Sequence, residues 1–198
     1  GSASAMFRHG VAGELSRILG GDLSFSVQRA GLPDDLVAEM GLAGQVSQIA
    51  DINVMASVHD IRRLVRLRGV DPAYPLLGTV VTLPDRSLRD LLAPQDGIAG
   101  AAADPDIFRV FNARIGERIE LAGEVFELDV VEGAGLMREG SIYRSGLRVR
   151  LDDDNADLAA LEAQWAPRLR EHGIDITTRD DLGDQFDDLL DNLSVFLA

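Results

Sequence analysis

The chain has 198 residues and no cysteine. That excludes disulfides, thiol nucleophiles and cysteine metal sites, and it leaves the redox compartment open. Lysine is also absent, so all 19 basic residues are arginine. This bias reads as the base composition of a genome rather than as a site, although arginine does hold its charge in any surroundings. Basic residues are outnumbered by 33 acidic ones, giving a formal net charge of −14. Nucleic acids and anionic headgroups need clustered positive charge, so that balance argues against both. No apolar run reaches the length of about 18 residues that spans a bilayer, and no basic-then-apolar leader opens the chain. Gly1–Met6 (GSASAM) fits either a cloning scar or native sequence.

What is present is ordinary globular material, at 46% hydrophobic residues and a length that can bury a core. Met6–Leu19 predicts a helix, with Val11, Leu15, Ile18 and Leu19 on one face and Gly20-Gly21 stopping it. Asp22–Gln28 alternates like a half-buried strand. Leu32–Ala43 predicts a short helix with Pro33 in its first turn. Gln45–Val58 and Ile61–Val70 read as paired strands. In the second, Val65 and Leu67 face one way and Arg66 and Arg68 the other.

Asp71-Pro72 and Tyr74-Pro75 then form a joint, because each proline pushes the residue before it toward extended geometry. Beyond the joint the chain predicts a strand over GTVVTL, a short helix and a turn-rich loop. A helix over Pro105–Asn112 follows, with a turn at Gly116 and two strands joined at Ala122-Gly123. From Gly140 the order is strand, helix, strand, helix. The first of these helices carries Leu158, Leu161 and Trp165 on one face, and Pro167 is expected to kink or break it. The strand over IDITTRDD precedes a last helix with Phe186, Leu189, Leu190, Leu193 and Leu197 on its apolar face. The expected fold class is α+β: a mixed sheet made of two flanking parts with helices on it, and a β-rich unit inserted between them.

Catalytic patterns are missing. His9, His59 and His172 lie in no metal-ligand spacing, and His59-Asp60 would point to opposite faces of a strand. Asp152–Asp157 meets a calcium loop at two positions only and reads as an acidic loop capping the next helix. Neither a phosphate-binding glycine loop nor a nucleophile elbow occurs. No catalytic, cofactor-binding or metal residue is therefore expected. The terminal helices carry more information: their apolar stripes fit packing on the sheet or helices that continue past both ends, and LSVFLA, almost wholly apolar where the sequence stops, favours a segment cut at the start of a membrane helix.

Four stretches (LSRILGGDLSFSVQ, LVRLRGVDPAYPLLGTV, FNARIGERIELAGEVFELDVV and IDITTRDDLGDQFDDLLDNLSVFLA) together resemble the large extracytoplasmic domain of FtsX-like ABC transporter permeases. The resemblance is to a subgroup related to the lipoprotein-release and MacB-type permeases, and it runs from about Met6 to Ala198. Its most specific element is V-x-P-x-Y-P-L at Val70, Pro72, Tyr74, Pro75 and Leu76. A second element matches at Gly116, Ile119, Leu121 and Phe126. The segment after Val131, EGAGLMREG, is shorter than the family's.

The resemblance implies a split porter-like part over residues 1–73 and 139–198 and a sabre-like β-rich insert over 74–138. It implies a mechanotransmission domain outside the inner membrane, in the periplasm, whose ATP is hydrolysed on a separate cytoplasmic ABC ATPase subunit. The stalk would then use Leu15, Ile18 and Leu19 from the first helix and Leu189, Leu190 and Leu193 from the last. Asp71, Pro72, Tyr74 and Pro75 would be the hinge to the insert. A second permease copy and a periplasmic protein or lipidic substrate are the partners to expect. The alternative is a binding module for a lipid, lipoprotein or cell-wall protein; a groove lined by Phe108, Phe111 and Phe126 would favour it, although the three read first as core of the insert. An enzyme with an unrecognised site is the third reading.

Overall fold

The computed structural model describes residues 13–28, 31–131 and 144–185. The protein is a mixed α+β chain that divides into two compact units. The first comprises Gly1–Ala50, Gly69–Gly78 and Arg144–Ala198, and the second Asp51–Arg68 and Thr79–Tyr143. The chain thus enters the second unit twice. The first passage lies inside one long strand and its partner, and the second follows the proline joint at Gly78. The proline joint and the family resemblance put a single entry after Ala73, with residues 51–68 in the first part.

The first unit holds helix α1 (residues 13–19), β1 (Leu23–Gln28), α2 (Asp34–Ala43), the start of β2 (Gly44–Val58), β8 (Arg144–Leu151), α5 (Leu158–Glu171), β9 (Ile174–Thr178) and helix α6 (residues 179–185). Its strand order is β2-β8-β1-β9. β1 runs antiparallel to both neighbours, pairing Phe25 with Leu147 on one side and with Ile176 on the other. Strict alternation turns Leu23, Phe25 and Val27 of β1 and Leu147, Val149 and Leu151 of β8 into one face. Leu36 and Met40 of α2 and Leu158, Trp165 and Leu169 of α5 cover it. The Trp165 ring stands edge-on to Phe25 at 5.9 Å. Trp165 Nε1 donates to Glu39 Oε1 at 3.0 Å, and Arg168 pairs with Glu39 and Asp35, tying α5 to α2. That pairing, led by the hydrogen bond to Glu39, raises the Arg168 pKa above its ordinary value.

The second unit holds the remainder of β2, β3 (Ile61–Val70, whose last two residues belong to the first unit), β4 (Thr82–Leu83), α3 (Leu88–Leu92), β5 (Ala99–Ala103), α4 (Pro105–Phe111), β6 (Arg118–Leu121) and β7 (Glu124–Val131). β6 and β7 form the expected hairpin, with positive φ at Ala122 and Gly123. Val54, Ala56, Val58, Val65, Ile119, Leu121 and Phe111 make a separate core.

Several elements differ from the sequence expectation. GTVVTL is strand only at Thr82–Leu83. Pro33 caps α2 from outside and does not occupy its first turn. Helix α5 continues through Pro167 to Glu171. The strand expected over IDITTRDD ends at Thr178, and α6 begins at residue 179. β5 was not foreseen. Its AGAAA sequence has low strand propensity, but it pairs parallel with β7 and its glycine lets it lie against α3: a Cβ on Gly100 would sit 1.7 Å from Leu91 O.

Candidate functional site

The strongest polar cluster of the first unit lies where both terminal helices reach the sheet. Helix α1 ends at Gly20, whose φ of +81° turns the chain and lets Gly20 N and Gly21 N both donate to Ser16 O. Gly21 then passes so close to β8 that a Cβ would lie 2.6 Å from Val149 O. This places Asp22 at the mouth of β1, 5% exposed. Its backbone N–H donates to Val149 O at 2.7 Å.

A buried carboxylate is costly unless its oxygens are satisfied by donors and its charge is met. Asp22 Oδ1 accepts from Ser16 Oγ at 2.8 Å and from Arg179 Nη1 at 2.8 Å, while Oδ2 accepts from Leu151 N at 2.9 Å. Arg179 N donates to Asp22 O at 3.0 Å, and Arg179 Nη2 reaches Asp154 O at 3.2 Å. Its Nε is buried without a hydrogen bond, 3.8 Å from Asp180 Oδ1. One carboxylate therefore joins α1, β8 and the first residue of α6.

The start of α6 is fixed by a reciprocal cap. Thr178 Oγ1 accepts from Asp181 N at 3.1 Å, and Asp181 Oδ2 accepts from Thr178 N at 2.7 Å. One turn on, a Cβ built on Gly183 would lie 3.2 Å from Leu15 Cδ1, so the first and last helices pack closely there. Of the stalk residues read from sequence, Leu15 and Leu19 are half-buried and Ile18 is 62% exposed; the buried position of α1 is Ser16. Leu189, Leu190 and Leu193 lie outside the described residues. Asp22 and Arg179 were not singled out in the sequence. They are 157 residues apart, and the only local signal is an acid directly after a glycine pair.

The proline joint is a second ordered polar site. Asp71 Oδ1 accepts from the fully buried Ser47 Oγ at 2.8 Å and from Ala73 N at 3.1 Å, and Oδ2 accepts from Gln48 N at 2.7 Å. Asp71 thereby staples the turn to β2 inside the first unit. Pro72 sits in the turn closed by Tyr74 N donating to Asp71 O, and the Tyr74-Pro75 bond is cis.

The other marked residues have structural surroundings. Phe111 is fully buried and the half-buried Phe108 and Phe126 pack against its cluster, so the three help build the core of the second unit. His59 occupies the β2–β3 turn with a φ of +51°, and its Nε2 lies 3.5 Å from Glu117 Oε1. Asp157 caps α5 by accepting from Ala160 N at 3.0 Å, and Asp153 Oδ1 accepts from Asn155 N. Among the described residues no cluster of three or more acidic or histidine side chains could hold a metal ion, and no helix is long and apolar enough to cross a membrane.

No family model and no curated protein matches the sequence. Among solved structures, the periplasmic region of MacB from Actinobacillus actinomycetemcomitans superposes with a TM-score of 0.56 at 15% identity, over 87% of this chain and 95% of that one. The extracellular domain of the noncanonic ABC-type transporter YknZ from Gram-positive bacteria aligns at 0.48 and 10% identity, over 79% of this chain and 100% of that one. The chain has the fold of a MacB-like periplasmic region.

Proposed function

We propose that the chain is the extracytoplasmic domain of an ABC transporter permease, and that it passes ATP-driven motion of membrane helices to a substrate outside the inner membrane. The observation that carries this reading is the joint of α1 and α6 at Asp22 and Arg179. A domain held between two membrane helices needs its entry and exit helices fixed to one rigid body, and a buried, fully bonded carboxylate does this with little slack. The MacB-like fold supports the same reading. The first unit corresponds to a porter-like part and the second to a sabre-like part. The chain itself has no catalytic role or cofactor; ATP is hydrolysed on a cytoplasmic ATPase subunit, and a second permease copy completes the transporter. A binding groove at Phe108, Phe111 and Phe126 has no support, because those rings form a core.

These 198 residues hold no cysteine, so one introduced here can be labelled alone once any cysteine elsewhere in the permease and its ATPase is replaced. In the complete permease with its ATPase, Arg150→Cys carries a spin label on an exposed position of β8. The distance between labels in the two copies is expected to change when a non-hydrolysable nucleotide binds. Arg179→Met should abolish that change while ATP hydrolysis persists. A distance that ignores nucleotide in the otherwise unsubstituted protein contradicts the reading.

A further inference from the structure

In a chain of net charge −14, β3 (IRRLVRLRGV) carries four arginines and no acid over ten residues. Its partner is β2 alone, so its other edge is open among the described residues. Asp51 pairs with Arg68, and Asp71 N donates to Gln48 O. Those contacts, with the two-residue turn at His59-Asp60, set one antiparallel register. In it Met55 stands opposite Leu64, and the odd-numbered residues of β3 bond to β2. The backbone N–H and C=O groups of Arg62, Leu64 and Arg66 therefore lie along the open edge.

Their side chains share one face of the sheet, with Leu64 45% and Met55 54% exposed. Arg62 and Arg66 flank Leu64 and meet no carboxylate among the described residues. Arg62 O accepts from the neighbouring Arg63 Nη1 at 2.8 Å, an exposed local contact that an incoming strand would displace. An exposed apolar pair between two guanidinium groups that meet no carboxylate among the described residues, beside a strand edge that no other strand covers, has the components of a strand-addition site.

We infer that the β3 edge takes an extended acidic segment of another protein as an added strand. Acidic side chains at alternating positions would meet Arg62 and Arg66, with an apolar side chain between them on Leu64 and Met55. Like-charge contact disfavours a second copy of this chain at the edge: two-fold pairings centred on Leu64, Val65 or Arg66 each set arginine against arginine. This inference does not depend on the transport reading.

The test uses a short acetylated peptide with Asp, Val and Asp at alternating positions, and the same peptide with Arg for Asp. The expected result is binding of the acidic peptide only, with slowed amide exchange at Arg62, Leu64 and Arg66. Arg62→Glu with Arg66→Glu should weaken it about tenfold or more. Arg62→Gln with Arg66→Gln should weaken it less, and both proteins should keep the native amide-exchange protection of Val65 and Ile119 in the core of the second unit. Equal binding of the two peptides, no binding at about millimolar peptide, or unchanged exchange along β3 overturns the proposal. Capture of anionic vesicles in place of the peptide, or self-association through β3, also overturns it.

Discussion

Asp22 is the residue on which the first unit is most exposed to damage. Three donors satisfy its carboxylate, and removing the charged one leaves an anion 5% exposed with no counter-charge. Breaking a buried ion pair from one side costs about 3–5 kcal/mol; the 17% exposure of the Arg179 side chain and the two surviving hydrogen bonds place Arg179→Met near about 3 kcal/mol. Urea unfolding followed by Trp165, the single tryptophan of the chain and a core residue of this unit, should show that loss as a lower midpoint. An unchanged midpoint would mean the pair is not formed in solution. Little of this site was legible in the sequence. Periodicity finds faces of single elements, and Asp22 and Arg179 meet only because β1 and β9 are neighbours. The same limit applies to Ser47 and Asp71, whose hydrogen bond depends on the β2–β3 register.

At the scale of elements, alternation and glycine signals did most of the work. β1, β6 and β8 read directly from their alternation because each has one buried face, and the β6–β7 hairpin is marked by the turn at Ala122-Gly123. Elements defined by contact were lost. β5 is a strand through β7 and α3, and α6 starts at residue 179 because Thr178 and Asp181 cap it. Glycine positions make the distinction testable. Gly41 lies in the interior of α2 with nothing within 4 Å of a Cβ, whereas a Cβ on Gly44 would lie 2.1 Å from Arg150 O. Gly41→Ala should stabilise by about 0.5–1 kcal/mol through helix propensity. Gly44→Ala should destabilise by about 1–3 kcal/mol, because β2 must move away from β8. Thermal melts of the two variants in parallel should shift in opposite directions; a downward shift for both would show that α2 ends earlier than Ala43.

At the scale of the molecule, the sequence indicated a sheet domain interrupted by a β-rich unit, and the structure resolves two compact units with two separate cores. The boundary differs because β2 and β3 are single long strands with residues in both units, and a continuous apolar alternation carries no mark where one core ends and the next begins. On the proposed function, this domain sits between two membrane helices and moves with them. Reading the source gene on both sides of the 198 residues tests it most directly. The expected result is an apolar run of about 20 residues next to each end, further such runs downstream, and a nucleotide-binding ATPase encoded alongside. A reading frame that opens near Gly1 and closes near Ala198 would contradict it.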